Sequence, residues 1–155
     1  MKDEPTFVSF KRDKGEYKTF IAINGFFSSS GDLESLLNKA AIIYGSYISK
    51  MLASVDVIDV FRSNRRPLPA RKIWQLGDII FQLVDELSQL SLQIDGIYDH
   101  LGRDLNVKRK WLEKVIIFRR CIPEEGMIPE HLNWGKCEKG TRRKAELIRK
   151  GIAPR

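Results

Sequence analysis

The chain has 155 residues, of which 43% are apolar and 30% charged, and a net charge of +7. This is ordinary for one soluble domain able to bury its own core and unlike a disordered chain. No uninterrupted apolar run approaches the roughly 18–20 residues of a membrane span, and Met1-Lys2-Asp3-Glu4 lacks the basic-then-apolar order of a secretory leader, so a cytoplasmic protein with no membrane partner is expected. The charge is uneven: residues 1–101 carry 12 Lys/Arg against 13 Asp/Glu, residues 102–155 carry 15 against 7. Such asymmetry favours a polyanionic partner, because each phosphate met by Lys or Arg releases counterions.

In chain order, Thr6-Phe7-Val8-Ser9-Phe10 and Glu16 to Ile23 are rich in β-branched and aromatic residues, with turn chemistry in Lys11-Arg12-Asp13-Lys14-Gly15 between them. Residues 1–31 therefore read as a β-hairpin arm, ended by Asn24-Gly25. Ser28-Ser29-Ser30-Gly31-Asp32 offers N-cap oxygens for a helix starting near Asp32. Leu33, Leu36, Leu37, Ala40, Tyr44, Tyr47, Ile48, Met51, Leu52 and Val55 then recur at helical spacing up to about Phe61. Ser63-Asn64-Arg65-Arg66-Pro67-Leu68-Pro69 cannot continue a helix.

A second helix is expected from Ala70. Ile73, Leu76, Ile80, Leu83, Leu87, Leu90, Ile94, Ile97 and Leu101 alternate spacings of three and four, the pattern of a coiled-coil seam. That seam serves either an intramolecular hairpin with residues 33–61 or self-association. Trp74, Phe81 and Val84 widen the apolar face, which favours the hairpin.

Residues 97–119 fit a helix-turn-helix. Two short helices crossing steeply need a small residue where they touch and a turn position that tolerates a left-handed backbone. Gly102 is the small contact and Asn106 the turn. Leu101, Leu105, Val107, Leu112, Val115 and Ile116 then point inward, while Lys108, Arg109, Lys110, Glu113 and Lys114 point outward on the second helix, and Trp111 packs or stacks on a sugar. In such a unit the second helix reads base edges and neighbouring cations hold phosphates. The alternative is a basic, solvated helix that closes the core.

The segment resembles the helix-turn-helix of phage-repressor-type and ParB-like proteins. Over roughly residues 50–120 it is also similar to the N-terminal helical domain of YhcG-type prokaryotic nucleases. The matching residues are Trp74, Gly77 and Ile80, then Leu101, Leu105, Val107, Leu112 and Phe118-Arg119. Leu132-Asn133-Trp134 resembles the start of the next helix there, with Asn133 as N-cap. Duplex binding suits a regulator, and the resemblance implies instead the targeting subunit of a defence or mobile-element complex, with a nuclease or recombinase as its partner. With 20 residues after Gly135, no nuclease domain is expected here, and any cleavage is expected from a partner.

Residues 121–155 read as a loop, punctuated by Pro123, Gly126 and Pro129, and a basic C-terminal helix bearing Lys139, Arg142, Arg143 and Lys144. These cations and Arg119-Arg120 either contact phosphate or form a solvated face. Cys121 and Cys137 lack CxxC spacing and, with His131, supply no fourth ligand, so reduced thiols and no metal are expected. No phosphate-cradling glycine loop, activated nucleophile or convincing carboxylate cluster stands out, and His100 reads as a surface or partly buried residue. No enzyme and no cofactor is expected.

The composite expectation is a mainly α protein: an N-terminal β-hairpin, two long antiparallel helices within a 32–120 helical domain, the helix-turn-helix and a basic C-terminal helix. Its expected partner is double-stranded DNA, with RNA, bound by a helical subunit of a ribonucleoprotein, as the alternative.

Overall fold

In the computed structural model, which describes residues 6–21 and 30–155, strands β1 (Thr6–Asp13) and β2 (Glu16–Ile21) pair antiparallel. Lys14 and Gly15 turn between them with φ of 51° and 85°, the left-handed pair that a two-residue hairpin requires. The expected strand break at Asn24-Gly25 and the N-cap serines up to Ser29 lie outside the described residues. Helices α1 (Ser30–Ser63) and α2 (Ala70–Gln89) follow, then strand β3 (Leu92–Ile94), helices α3 (Ile97–Leu105) and α4 (Arg109–Cys121), two single-turn 3-10 segments and α5 (Thr141–Arg149). The fold is mainly helical with a small N-terminal sheet, as the patterning predicts.

The 34 residues of α1 span about 50 Å. Ala40, Tyr44, Tyr47, Ile48, Met51, Val55 and Ile58 form its buried stripe. Within Leu33–Ser63 an 18-residue window is apolar enough to cross a membrane, although 33% of that window is buried in the fold and Lys39, Lys50, Asp56 and Asp59 interrupt the exposed side of the helix. α2 returns along α1, so that the Tyr47 hydroxyl donates to Glu86 at 2.8 Å.

The structure corrects one expectation outright. The aliphatic seam is not one helix to Leu101: α2 stops at Gln89, Ser91 turns with φ 60°, and β3 and α3 follow. Ile73, Leu76, Ile80, Leu83 and Leu87 are buried along α2, whereas Ile94 lies in β3 and Leu101 in α3. The change of period is physical. Leu92 and Ile94 point inward and Gln93 outward, the alternation of a strand, and β3 pairs parallel to β1 with Val8 opposite Ile94. The sheet order β2-β1-β3 ties the hairpin to the helices, and Phe10 stacks on Tyr44 at 4.0 Å between ring centroids.

Candidate nucleic-acid interface

α3 is short and amphipathic, with His100, Leu101, Gly102 and Leu105 buried. It is closed by two reversed hydrogen bonds: Asn106 N–H donates to the Arg103 carbonyl (3.3 Å) and Val107 N–H to the Gly102 carbonyl (2.9 Å). This closure needs a left-handed residue, and Asn106 supplies it at φ 54°. A Cβ at Gly102 would lie 3.1 Å from the Val107 oxygen, so the chain passes over Gly102 closely only because no side chain is there. Lys108 is extended, and α4 starts at Arg109.

α4 turns Leu112, Val115, Ile116 and Phe118 into the core and packs closely on α2. A Cβ at Gly77 would lie 2.6 Å from Arg119 Cβ and 3.0 Å from the Val115 oxygen. Trp74 Nε1 donates to the Ile122 carbonyl at 2.8 Å, satisfying an acceptor at the end of α4.

Outside, Lys108, Arg109, Lys110 and Arg120 are exposed and Glu113 and Lys114 half-buried. The first turn of α4 holds no carboxylate, so three cations crowd a helix end whose dipole favours anions. Among the described residues Arg109 is the one with side-chain partners: its Nη1 donates to Asp99 at 3.0 and 3.3 Å and its Nε to Glu113 at 3.1 Å. All three groups are solvated, so these pairs are weak and exchangeable.

Arg119 departs from the expected set. Its Nε donates to Asp78 at 2.9 Å, its guanidinium lies 4.8 Å from the Trp74 ring and 4.7 Å from that of Phe81, and its side chain is only 18% exposed. It fastens α4 to α2, whereas Arg120 is exposed.

The segment after α4 also differs from expectation. Asn133 precedes only a 3-10 turn, Trp134–Lys136, with no side-chain cap bond, and regular helix resumes at Thr141. Trp134 meets Phe118 edge to face at 5.2 Å. α5 packs on α4 through buried Ala145 and Ile148, leaving Lys139, Arg142 and Arg143 exposed and Lys144 half-buried. Its first turn also lacks a carboxylate. Burial pushes the Cys137 thiol up to about 11, an inert state, Cys121 is half-buried, and His131 is exposed.

On its other side α3 is anchored by polar groups. His100 is 5% exposed, more deeply buried than its sequence position suggests. Its Nε2 accepts from Phe10 N–H at 3.3 Å, and Arg103 Nη2 lies 3.0 Å from its Nδ1 and donates at 3.0 Å to the Phe10 carbonyl. The Tyr44 hydroxyl donates to Asp104. Burial, aided by that carboxylate, raises the Tyr44 phenol above its usual range.

Sequence patterning passes over one group of cations. The Arg62 guanidinium lies 5.1 Å from the centre of the Trp111 ring, which brings the end of α1 and its Arg65-Arg66 sequel to the first turns of α4. Nothing local in the sequence signals this, because the contact joins segments about fifty residues apart. Compared with family models, curated proteins and solved structures, the chain matches none.

Proposed function

We propose that the protein binds double-stranded DNA, with α3 and α4 acting as a helix-turn-helix and α4 as the reading helix, in a regulator or the subunit that targets a larger complex. The observation that carries this is the close two-helix unit, Gly102 under Val107 and Asn106 left-handed, holding up a helix whose exposed start bears Lys108, Arg109 and Lys110. Positive charge there opposes the helix dipole and is offset by a phosphate backbone. Arg109 exchanges its solvated carboxylates for a base edge, Lys108, Lys110 and Lys114 hold phosphates, and Glu113 discriminates among bases. Arg120, Lys139, Arg142, Arg143 and Lys144 supply flanking positive charge.

The test is duplex binding over a range of salt for wild type, Arg109→Ala and the Lys108/Arg109/Lys110/Lys114 quadruple Ala variant, each checked for folding by circular dichroism. Loss of a phosphate-holding lysine weakens all sequences alike and flattens the salt slope by about 0.9 per contact. Arg109→Ala costs about 1–3 kcal/mol and relaxes preference at one position. A quadruple variant that binds like wild type with the same slope overturns the assignment to α4. Preference for RNA with indifference to duplex sequence favours the ribonucleoprotein role instead.

A further inference from the structure

We infer that Arg62, Arg65 and Arg66, at the junction of α1 and α2, form a second phosphate-binding strip beside α4, so that the nucleic acid is held on both sides of Trp111. The inference rests on the duplex-binding reading above and extends its surface to residues outside the two-helix unit.

The junction is placed by tertiary contact. Arg62 covers the Trp111 ring; Lys114 follows Trp111 by three residues on α4 and is its neighbour on one face, and Lys108 is the extended residue from which α4 starts. Beyond Arg65 and Arg66 the chain is pinned: Trp134 N–H donates to the Leu68 carbonyl at 2.7 Å and Ala70 N–H to the Leu132 carbonyl at 2.8 Å. The strip thus lies between α4 and the segment that leads into α5, and its backbone needs little further ordering to meet a ligand.

All three arginines are exposed, and among the described residues none makes an ion pair. Asp59, one turn before Arg62, is exposed and also makes none. A cation at the end of a helix has a local explanation, since the dipole favours it. That explanation does not extend to the position Arg65 occupies. α1 is closed as α3 is: Arg65 N–H donates to the Arg62 carbonyl at 3.1 Å and Arg66 N–H to the Phe61 carbonyl at 2.9 Å, which puts Arg65 in the left-handed region at φ 52°. Glycine is the residue that this closure favours, and α5 closes in the same way with Gly151 at φ 83°. An arginine there opposes the local backbone preference, and the charge it adds to a basic surface is what a polyanion partner would use.

Four proteins settle this by duplex binding over a range of salt together with thermal melting: wild type, Arg65→Gly, Arg65→Lys and the Arg62/Arg65/Arg66 triple Ala variant. Arg65→Gly is expected to melt higher yet lose about 0.9 from the salt slope, and Arg65→Lys to keep the slope. The triple variant is expected to lose between two and three times as much slope, equally for every duplex sequence. Should the triple variant fold poorly, Arg65→Gly alone decides. If Arg65→Gly binds with the wild-type slope while the α4 quadruple variant has lost binding, the strip is overturned and the reading helix stands. If wild type itself shows no salt-dependent duplex binding, the functional reading falls, and the strip with it.

Discussion

Where α4 meets α2 the contact is close and largely apolar, a glycine facing a backbone carbonyl and an arginine stem; where α3 meets β1 and α1 it is polar and aromatic. The same two-helix unit is therefore fastened by unlike chemistry on its two sides. The first contact depends on volume, since no atom can be added at Gly77 without moving α4. The second depends on donors and acceptors, since His100, Arg103, Asp104 and Tyr44 meet in a partly desolvated space around the Phe10 peptide. A two-helix unit held in this way keeps its helix spacing rigid through packing, while its link to the hairpin is open to change by protonation.

The sharpest way to break the volume side is Gly77→Ala. The added methyl would sit 2.6 Å from Arg119 Cβ, with the Val115 carbonyl at 3.0 Å, so α2 and α4 must separate and the Asp78–Arg119 pair must shift. A loss near the top of the overpacking range, about 3 kcal/mol, is expected in urea unfolding. An unchanged midpoint would show that the helices slide apart freely. On the polar side Tyr44→Phe keeps the stacking on Phe10 and the edge contact with Tyr17 and removes only the donor to Asp104. A loss of about 2 kcal/mol follows from deleting a bond to a charged acceptor. A change below about 0.5 kcal/mol would mean that Arg103 and water replace the phenol, since that is the scale of an ordinary surface substitution.

The two sides also differ in how legible they are in the sequence. Gly102 and Asn106 declare the turn between α3 and α4 because the constraint is local: one residue lacking a side chain, one tolerant of positive φ. The start of α1 follows from its capping residues, its end and the start of α2 from the two-proline connection, and the burial of Leu112, Val115 and Ile116 from the same two-helix template. Periodicity misleads at Leu90 to Gly96, where spacings of three and four pass through a strand. There the better signs are Asp95-Gly96 as a turn and the Leu92-Gln93-Ile94 alternation. Arg119 and Arg62 are equally basic in the sequence, yet one is stacked on Trp74 and Phe81 and the other lies over Trp111 at the surface. No one-dimensional pattern separates them, because their fates are set by which aromatic ring tertiary packing brings beneath them.

The smallest expected effect is also the one that distinguishes the two contacts most cleanly. Phe10 N–H donates to Nε2 of the His100 ring and cannot accept a proton in return, so an imidazolium would set a ring N–H against the Phe10 N–H and lose that bond. Burial first, and Arg103 after it, hold the His100 pKa below the usual imidazole value, against the opposing pull of Asp104, 3.8 Å from Nε2, and of Asp95. In the unfolded chain the ring takes up a proton near pH 6.5. Between the unfolded and the lower folded value the unfolded state thus binds more protons, so stability is fully present above about pH 6.5 and lost as the pH falls, by at most about 1.4 kcal/mol per pH unit for one proton. Urea unfolding of wild type and His100→Gln from about pH 7.5 down to 5, across the reference histidine value, should show a steeper loss in wild type. Equal losses would clear His100 of any part in it. The deficit caused by Gly77→Ala should stay constant over the same window, because packing volume carries no proton.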